Sequence, residues 1–303
     1  MLARRTAIEH ARANNAHRFR RHPLRHKIEQ SIAKPMLTFA LQIARLYARG
    51  VQNALSPIVR KIHLSFADLP SVFDGFQILQ LSDLHIDGIE GLTEAVIEAV
   101  SDLTPDLCVL TGDYRFDIEG SCERAHSGMR SIVGRISEKC DILGILGNHD
   151  PSETAYALEE MGVRVLINDV AEIKRGHASI SFIGVDDPYD YKCDDLESAL
   201  ASIPDDKFKI LLAHAPELYD QAAEKAIHLY LCGHTHGGQI RIPWVGPVIR
   251  NSACPRSYSH GYWRHKGMQG YTSAGIGCST LPVRFNCPPE IVLIELRVVD
   301  EAG

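Results

Sequence analysis

The amino-acid sequence predicts an α/β fold, in one domain whose sheets carry helices on their outer faces. Short apolar segments typical of buried strands alternate with segments of helical spacing from about residue 62 onward. No internal repeat, low-complexity tract or interdomain linker is visible after about residue 70. The 303 residues are 45% hydrophobic and 23% charged, which suits a globular protein and excludes wholesale disorder and fibrous classes.

The first half of this domain reads as three strands, each followed by a helix. The predicted strands are 76–81, 107–110 and 142–146, and the predicted helices are 91–103, 121–137 and 152–162. The last of these helices has a serine at its start and a glycine at its end, the usual cap and stop signals.

The second half contains more strands and less helix. The predicted strands are 163–167, 170–174, 178–185, 208–213, 227–232 and 291–298, with a short helix over 195–202. The final strand is apolar and β-branched, as expected for a buried position in a sheet.

A basic segment precedes this domain. Residues 1–62 contain 13 Lys and Arg against two Glu, a net charge of +11, whereas the remainder is −17 and the whole chain −6. We therefore divide the chain into a basic N-terminal arm, 1–60, and a folded domain, 61–300.

Within the arm, the segment 36–48 predicts an amphipathic helix. Thr38, Gln42, Arg45 and Arg49 fall on one narrow stripe of a helical wheel, and apolar residues fill the other sides. This pattern is typical of a helix lying in a bilayer interface, and the basic cluster 18–27 suits an anionic membrane surface. The segment is too short and interrupted to cross a membrane, which takes about 20 apolar residues.

Other interpretations of the arm stay open. The segment 36–48 could be a packed helix behind a basic tail, and the charge would also suit a nucleic-acid-binding arm, which the pattern disfavours. No secretory leader is visible, and the eight cysteines include no C-x-x-C pair. We therefore expect mostly free thiols and a cytoplasmic protein, peripheral at the inner face of the membrane.

Five predicted strands end in polar residues that can bind metal. Ligands in open α/β sheets gather beyond the carboxyl ends of the strands, so we expect these side chains to converge. Adjacent glycines allow sharp turns and close backbone approach. The candidate metal ligands are Asp83, His85, Asp113, Asn148, His214, His234 and His236. Seven donors are too many for one ion and suit two ions that share a carboxylate.

The donor types indicate the metal and its chemistry. Nitrogen and oxygen ligands without thiolate favour Mn²⁺, with Fe or Zn²⁺ as alternatives. Mg²⁺ is disfavoured because it prefers oxygen ligands. Two divalent ions about 3.5–4 Å apart clamp the oxygens of an in-line displacement at phosphorus, and they generate hydroxide from a bound water. The set therefore predicts phosphoester hydrolysis.

In order and local sequence, these segments resemble the calcineurin-like metallophosphoesterase superfamily over about residues 60–298. Two longer motifs, GHTHGGQIRIP at 233–243 and GIGCSTLPVRFNCPPE at 275–290, resemble a bacterial phosphodiesterase branch. That branch includes membrane-associated hydrolases, among them a UDP-2,3-diacylglucosamine pyrophosphatase of lipid A synthesis. The resemblance implies a four-layer αββα sandwich, here with a basic, helical N-terminal extension.

The resemblance also implies roles for individual residues. One metal would be held by Asp83, His85, Asp113 and His236, and the other by Asp113, Asn148, His214 and His234, with Asp113 bridging. His149 would be catalytic, facing the scissile phosphate as an acid or a stabiliser of charge, with Asp150 orienting its imidazole. Metal-bound hydroxide would attack in line, without a covalent intermediate.

Some positions allow more than one interpretation. Arg115 could contact a phosphate or form a surface salt bridge, and Asp186–Asp187 could face the substrate or form a turn. In the C-terminal motif we expect Arg284 to pair with Glu290. An apolar groove for acyl chains would need side chains from the arm or from the loop 244–261, with Trp263 nearby.

The leading hypothesis is a hydrolase of a phosphodiester or pyrophosphate bond, acting at a membrane surface on a nucleotide-lipid such as UDP-2,3-diacylglucosamine. A general phosphodiesterase acting on nucleotide or glycerophospho substrates is one alternative. A non-catalytic, metal-dependent scaffold is the other, and the presence of His149 beside a full ligand set argues against it.

Overall fold

The computed structural model describes residues 2–14, 34–247 and 252–299. The basic cluster 18–27 lies outside these ranges. Among the described residues there are eight α-helices: α1 (Ala3–Asn14), α2 (Lys34–Ile43), α3 (Tyr47–Ala54), α4 (Leu92–Val100), α5 (Glu123–Ser137), α6 (Ser152–Glu160), α7 (Leu196–Leu200) and α8 (Tyr219–Glu224).

The first of two six-stranded sheets is mainly parallel. Its order is β1-β14-β2-β3-β4-β5, and only the β14–β2 pair is antiparallel. The strands are β1 (Ile58–Phe66), β2 (Gln77–Leu81), β3 (Leu107–Leu110), β4 (Asp141–Gly144), β5 (Arg164–Val165) and β14 (Glu290–Val298).

The second sheet has the order β12-β13-β9-β8-β7-β6, with antiparallel pairs at both edges. Its strands are β6 (Asp169–Arg175), β7 (Ala178–Gly184), β8 (Phe208–Leu212), β9 (Leu229–Cys232), β12 (Gly261–His265) and β13 (Met268–Thr272). A separate two-stranded hairpin joins β10 (Arg241–Ile242) to β11 (Gly246–Pro247).

Alternate side chains of the strands fill different layers of the core. In β2, Ile78 packs between the two sheets, whereas Leu79 packs under the helices of the first sheet. In β8, Ile210 faces the first sheet and Leu211 packs under the helices of the second. Each such buried side chain contributes about 1.5–3 kcal/mol. Three apolar layers thus separate helix, sheet, sheet and helix, and the predicted αββα sandwich is confirmed.

The strand registers bring the carboxyl ends of the strands together. Leu81 of β2 lies opposite Leu110 of β3, and Leu110 lies opposite Gly144 of β4. In the second sheet, Leu212 of β8 lies opposite Leu231 of β9. The loops that follow these strands therefore leave both sheets at one edge, where the predicted ligands are found.

The predicted helix 36–48 is broken in the structure. Helix α2 ends at Ile43, α3 begins at Tyr47, and Arg45 between them has a left-handed φ of 55°. Helix α3 buries Gly50 and Ala54 against the domain, whereas Phe39 of α2 remains 64% exposed. The arm is thus partly packed and partly presents an apolar surface.

No two of the eight cysteines, all at described positions, form a disulfide. The described part of the chain also contains no helix with the length and apolar character needed to span a bilayer.

Candidate metal centre

The loops after five strands carry all the predicted ligands to one buried place. Each of the seven residues is at most 6% exposed. They follow β2 (Asp83 and His85), β3 (Asp113), β4 (Asn148), β8 (His214) and β9 (His234 and His236). The convergence expected from the strand pattern is therefore present, across both sheets.

One group of donor atoms surrounds the ring of His85. Its Nε2 lies 3.2 Å from His236 Nε2 and 3.6 Å from Asp113 Oδ2. His236 Nε2 lies in turn 3.5 Å from Asp83 Oδ1. These are the four side chains expected to share the first metal.

A second group surrounds His214. Its Nε2 lies 3.1 Å from Asn148 Oδ1, 3.2 Å from His234 Nδ1 and 3.3 Å from Asp113 Oδ2. Asp113 Oδ2 therefore belongs to both groups, as a bridging carboxylate requires. The other oxygen of Asp113 accepts the backbone N–H of His149 at 2.8 Å, which fixes the carboxylate.

Hydrogen bonds on the far side of two rings aim their other nitrogens at the centre. His85 Nδ1 lies 2.6 Å from the carbonyl of Arg115, and His214 Nδ1 lies 2.8 Å from the carbonyl of Thr111. With Nδ1 donating, the lone pair of Nε2 is available in the neutral ring, as in many metal-bound histidines. His234 Nε2 is buried without a hydrogen-bond partner. This donor set fits divalent cations.

The electrostatics keep three of the histidines neutral. Burial lowers the pKa of His85 to about 3 and that of His234 to about 4, and it holds the pKa of His236 well below its usual value. Neutral imidazole is the form that binds metal.

Two opposite effects act on the pKa of His214. Burial alone would lower its pKa, but the carboxylate of Asp113 raises that pKa well above the usual value. Because metal binds neutral imidazole, metal binding in this group competes with protonation of His214.

The backbone at the ligands is strained. Left-handed φ values, uncommon for residues other than glycine, cost of order 1–3 kcal/mol each and concentrate at functional sites. Five of the seven ligands have them: Asp83 (50°), His85 (38°), Asp113 (60°), His234 (69°) and His236 (51°).

Two glycines leave space for the carboxylates of Asp83 and Asp113. A Cβ atom on Gly233 would overlap Asp83 Oδ2 and the hydroxyl of Ser82, which donates a 2.6 Å hydrogen bond to that oxygen. A Cβ atom on Gly147 would overlap Asp113 Oδ1. The glycines that precede two of the ligands are thus required by close approach.

His149 lies at the mouth of the centre, with a side chain 14% exposed. Its Nδ1 lies 2.8 Å from the carbonyl of Phe116, and its Nε2 lies 3.9 Å from Asp113 Oδ2. With Nδ1 donating to Phe116, Nε2 is the atom that can carry a proton toward a bound phosphate. This placement suits the predicted catalytic role.

Asp150 has other partners than the expected imidazole. Its two carboxylate oxygens accept the backbone N–H groups of Asp113, Tyr114 and Gly147, each at 2.8 Å. The ring of His149 is held by Phe116 instead. Asp150 therefore fixes the backbone of two ligand loops.

Arg115 is buried, contrary to both interpretations of it. Its guanidinium donates to the carbonyl of His149 at 2.6 Å and to that of Gly120 at 3.0 Å. Among the residues that the structure describes, Arg115 forms no salt bridge, and these carbonyls occupy its guanidinium.

The expected pair in the C-terminal motif is also absent. Arg284 donates to backbone carbonyls, among them that of Ala274 at 2.9 Å. Glu290 instead pairs with Arg60 at 2.8 Å and accepts the hydroxyl of Tyr271 at 2.8 Å.

Sequence reasoning missed Arg5. This residue lies in the arm, yet it is fully buried beside the loop that carries Asn148 and His149. The one local feature of the sequence that could have indicated its role is Glu9, which pairs with Arg5 one helical turn later. This spacing is common on exposed helix surfaces, so it does not predict a buried arginine.

Comparisons with known proteins agree with this geometry. A family model described as calcineurin-like phosphoesterase matches residues 76–238. The chain is 30% identical over 236 residues to the uncharacterized metallophosphoesterase YkuE of Bacillus subtilis, covering 76% of this chain and 82% of that protein. It is 30% identical over 232 residues to the phosphodiesterase YaeI of Escherichia coli, covering 73% and 82%. It is 31% identical over 273 residues to a transmembrane protein with metallophosphoesterase domain of Bos taurus, covering 82% and 59%.

Proposed function

The chain belongs to the calcineurin-like phosphoesterase family and is a hydrolase, and we propose that it cleaves a phosphodiester or pyrophosphate bond with two divalent cations. The observation that carries the proposal is the shared position of Asp113 Oδ2, within 3.6 Å of ring nitrogens from both ligand groups. We propose Mn²⁺ as the metal, since the donors are imidazole, carboxylate and amide.

The metals would lower the pKa of an attacking water and neutralise charge on the phosphoryl oxygens. The protein's own contribution is to hold the seven candidate ligands together at a place buried from bulk solvent. His149 would carry a proton at Nε2 and pass it to the leaving oxygen, while the Phe116 carbonyl holds the ring in place.

The substrate we propose is a phosphodiester or diphosphate that joins a nucleotide to a lipid, with UDP-2,3-diacylglucosamine as the first compound to test. A diester substrate agrees with the name of the relative YaeI. A lipid substrate is supported by exposed apolar side chains, which we call the apolar rim. Its members are Met36, Phe39 and Ile43 of α2, and Ile242, Trp244 and Val245 of the β10–β11 hairpin.

Helix α3, which follows α2, and strand β10 of the hairpin both bond to one segment near the metal centre. The backbone N–H of Arg284 donates to Gly50 of α3 at 3.0 Å, and the N–H of Arg241 donates to Phe285 at 2.9 Å. Arg284 Nη2 also lies 3.4 Å from His236 Nδ1. A surface that binds the rim would therefore lie close to the ligand loops.

We propose that this surface is an anionic membrane, with the protein peripheral at its inner face. Trp244 is fully exposed, and tryptophan favours the membrane–water interface. Exposed Arg45 and Arg49 adjoin the apolar side of the arm and suit anionic headgroups. Trp263, the other tryptophan, is buried in the second sheet and is not part of this surface.

The substrate proposal is tested by turnover of two compounds with Mn²⁺ present. We expect hydrolysis of UDP-2,3-diacylglucosamine in detergent or vesicles, with release of UMP, and slower hydrolysis of bis(p-nitrophenyl) phosphate. Turnover of the aryl diester alone would contradict the lipid substrate and favour a general phosphodiesterase. Turnover of neither compound, with metal bound, would contradict both.

Membrane binding is tested by replacing Trp244 with serine. Burying an aromatic side chain contributes about 1.5–3 kcal/mol, so binding to phosphatidylglycerol-containing vesicles should weaken roughly tenfold or more. Sedimentation with vesicles measures this. Tyr156→Ser is the matched control, since Tyr156 is 59% exposed on α6, outside the apolar rim. Equal binding by wild type and Trp244→Ser would remove the hairpin from the membrane surface.

A further inference from the structure

Helix α1, although part of the basic arm, inserts one side chain into the body of the protein. Arg5 is fully buried, and its guanidinium carbon lies 3.8 Å from the centre of the Tyr191 ring. A second contact holds the same helix: Glu9 accepts the backbone N–H of Ser152 at 2.8 Å and its hydroxyl at 2.9 Å. Helix α1 is thus docked at two points one turn apart.

Within the described residues, three of the four hydrogen bonds that the Arg5 guanidinium donates go to the backbone of one turn. The guanidinium donates to the carbonyl of Asp150 through Nη2 at 2.6 Å and through Nε at 3.2 Å. It also donates to the carbonyl of Gly147 and to the carboxylate of Asp186. Gly147 and Asp150 are the two ends of the turn that presents Asn148 and His149.

This turn is held from both sides. On the side of the first sheet, the Asp150 carboxylate accepts N–H groups, including that of Gly147. On the other side, the backbone carbonyls of the same two residues have Arg5 as their donor. Without this guanidinium the carbonyl of Gly147 would keep only a 3.4 Å bond from the N–H of Asp150. Because buried carbonyls that lose a donor are costly, the turn would rearrange if this guanidinium were removed.

The carboxylate of Asp186 gives a physical reason for an arginine at position 5. Asp186 and Asp187 are both buried after β7, and their carboxylates accept hydrogen bonds from groups of the protein. Asp187 accepts backbone N–H groups of its own loop, such as that of Asp190 at 2.7 Å. Asp186 pairs with Arg5, so a planar, always charged group joins a carboxylate to two carbonyls.

We propose that Arg5 is a positioning residue of the metal centre, which acts by fixing the turn 147–150 and through it Asn148 and His149. Helix α1, although it belongs to the arm, then contributes to the active site by positioning this turn. This inference rests on the proposed function, since it assumes that Asn148 holds metal and that His149 meets the substrate.

The test compares Arg5→Ala, Arg5→Lys and the matched control Arg4→Ala. Arg4 is the neighbouring arginine on the same helix, and it is exposed. Changes to groups that support metal ligands typically cost 10–100-fold in metal affinity or activity, so we expect losses of about that size for Arg5→Ala in both Mn²⁺ affinity and kcat. KM should change little. Arg5→Lys should be intermediate, and Arg4→Ala should match wild type.

Two further measurements need neither metal nor substrate turnover. Hydrogen exchange of the metal-free protein should speed up in the turn 147–150 of Arg5→Ala, while strand β8 keeps its protection. Added guanidinium ion should slow this exchange again, because it can occupy the cavity left by the side chain. In a separate activity assay, added guanidinium ion should also restore part of the kcat of Arg5→Ala.

The outcomes separate the inference from the function it rests on. If Arg5→Ala lowers only the melting temperature, with unchanged Mn²⁺ affinity, kcat and exchange in the turn, Arg5 merely anchors the helix and the inference is wrong. If the turn loosens and Mn²⁺ affinity falls but no phosphoester is hydrolysed by wild type, the positioning role stands and the proposed reaction fails.

Discussion

Replacing Asp113 with asparagine should remove metal from both ligand groups and abolish turnover. One oxygen of this carboxylate is shared by the rings of His85 and His214, and a neutral amide cannot bridge two cations equally well. Losing a divalent ion forfeits several kcal/mol of transition-state stabilisation, which corresponds to about 10³-fold or more in rate. Metal content by mass spectrometry and kcat on an aryl diester measure the two effects.

The control for this variant is Asp205→Asn, an exposed aspartate far along the chain. It should keep both the metal content and the kcat of wild type. If Asp113→Asn retained two equivalents of Mn²⁺ and most of its activity, the bridging assignment would be wrong.

Replacing His149 with alanine should abolish turnover as well, but the bound metal should be retained. This ring is at the mouth of the site, and its Nε2 is the nitrogen left to carry a proton. Losing a general acid typically costs 10²–10⁴-fold, and we expect a fall in kcat of about that size. Mn²⁺ affinity, measured by calorimetry, should change only slightly.

A leaving-group series sharpens this result. Substrates with more acidic leaving groups need less proton transfer, so the deficit of His149→Ala should shrink along the series. His177→Ala, at an exposed histidine outside the centre, is the control and should behave as wild type. A deficit that did not depend on the leaving group would favour charge stabilisation over proton transfer by His149.

The convergence of the seven candidate ligands could be predicted because their signals are local. Each follows an apolar strand, and glycines such as Gly147 and Gly233 stand beside them for reasons of space that the structure makes visible. Parallel pairing then brings these strand ends together whatever their separation along the chain. The apolar runs of β2, β3 and β8 were sufficient to predict these strands.

Other features depend on contacts that no local pattern records. Arg5 bonds to backbone carbonyls 142 and 145 residues away, and a carbonyl carries no sequence signature. Strand β1 was not predicted, because it lies at an edge, where Arg60 and Lys61 interrupt the apolar pattern. The partners of Arg115 and Arg284 are likewise mostly main-chain atoms.

Strand β14 has a consequence for biosynthesis. It lies between β1 and β2 in the first sheet, with Ile58 opposite Glu290 and Gln80 opposite Val292. On the ribosome, β1 and β2 both emerge before every metal-binding loop, whereas the strand that joins them emerges after all of these loops. Contacts this distant in sequence form slowly. The nascent chain must therefore hold an unfinished sheet edge until β14 has been synthesised, and chaperones protect such exposed edges from aggregation.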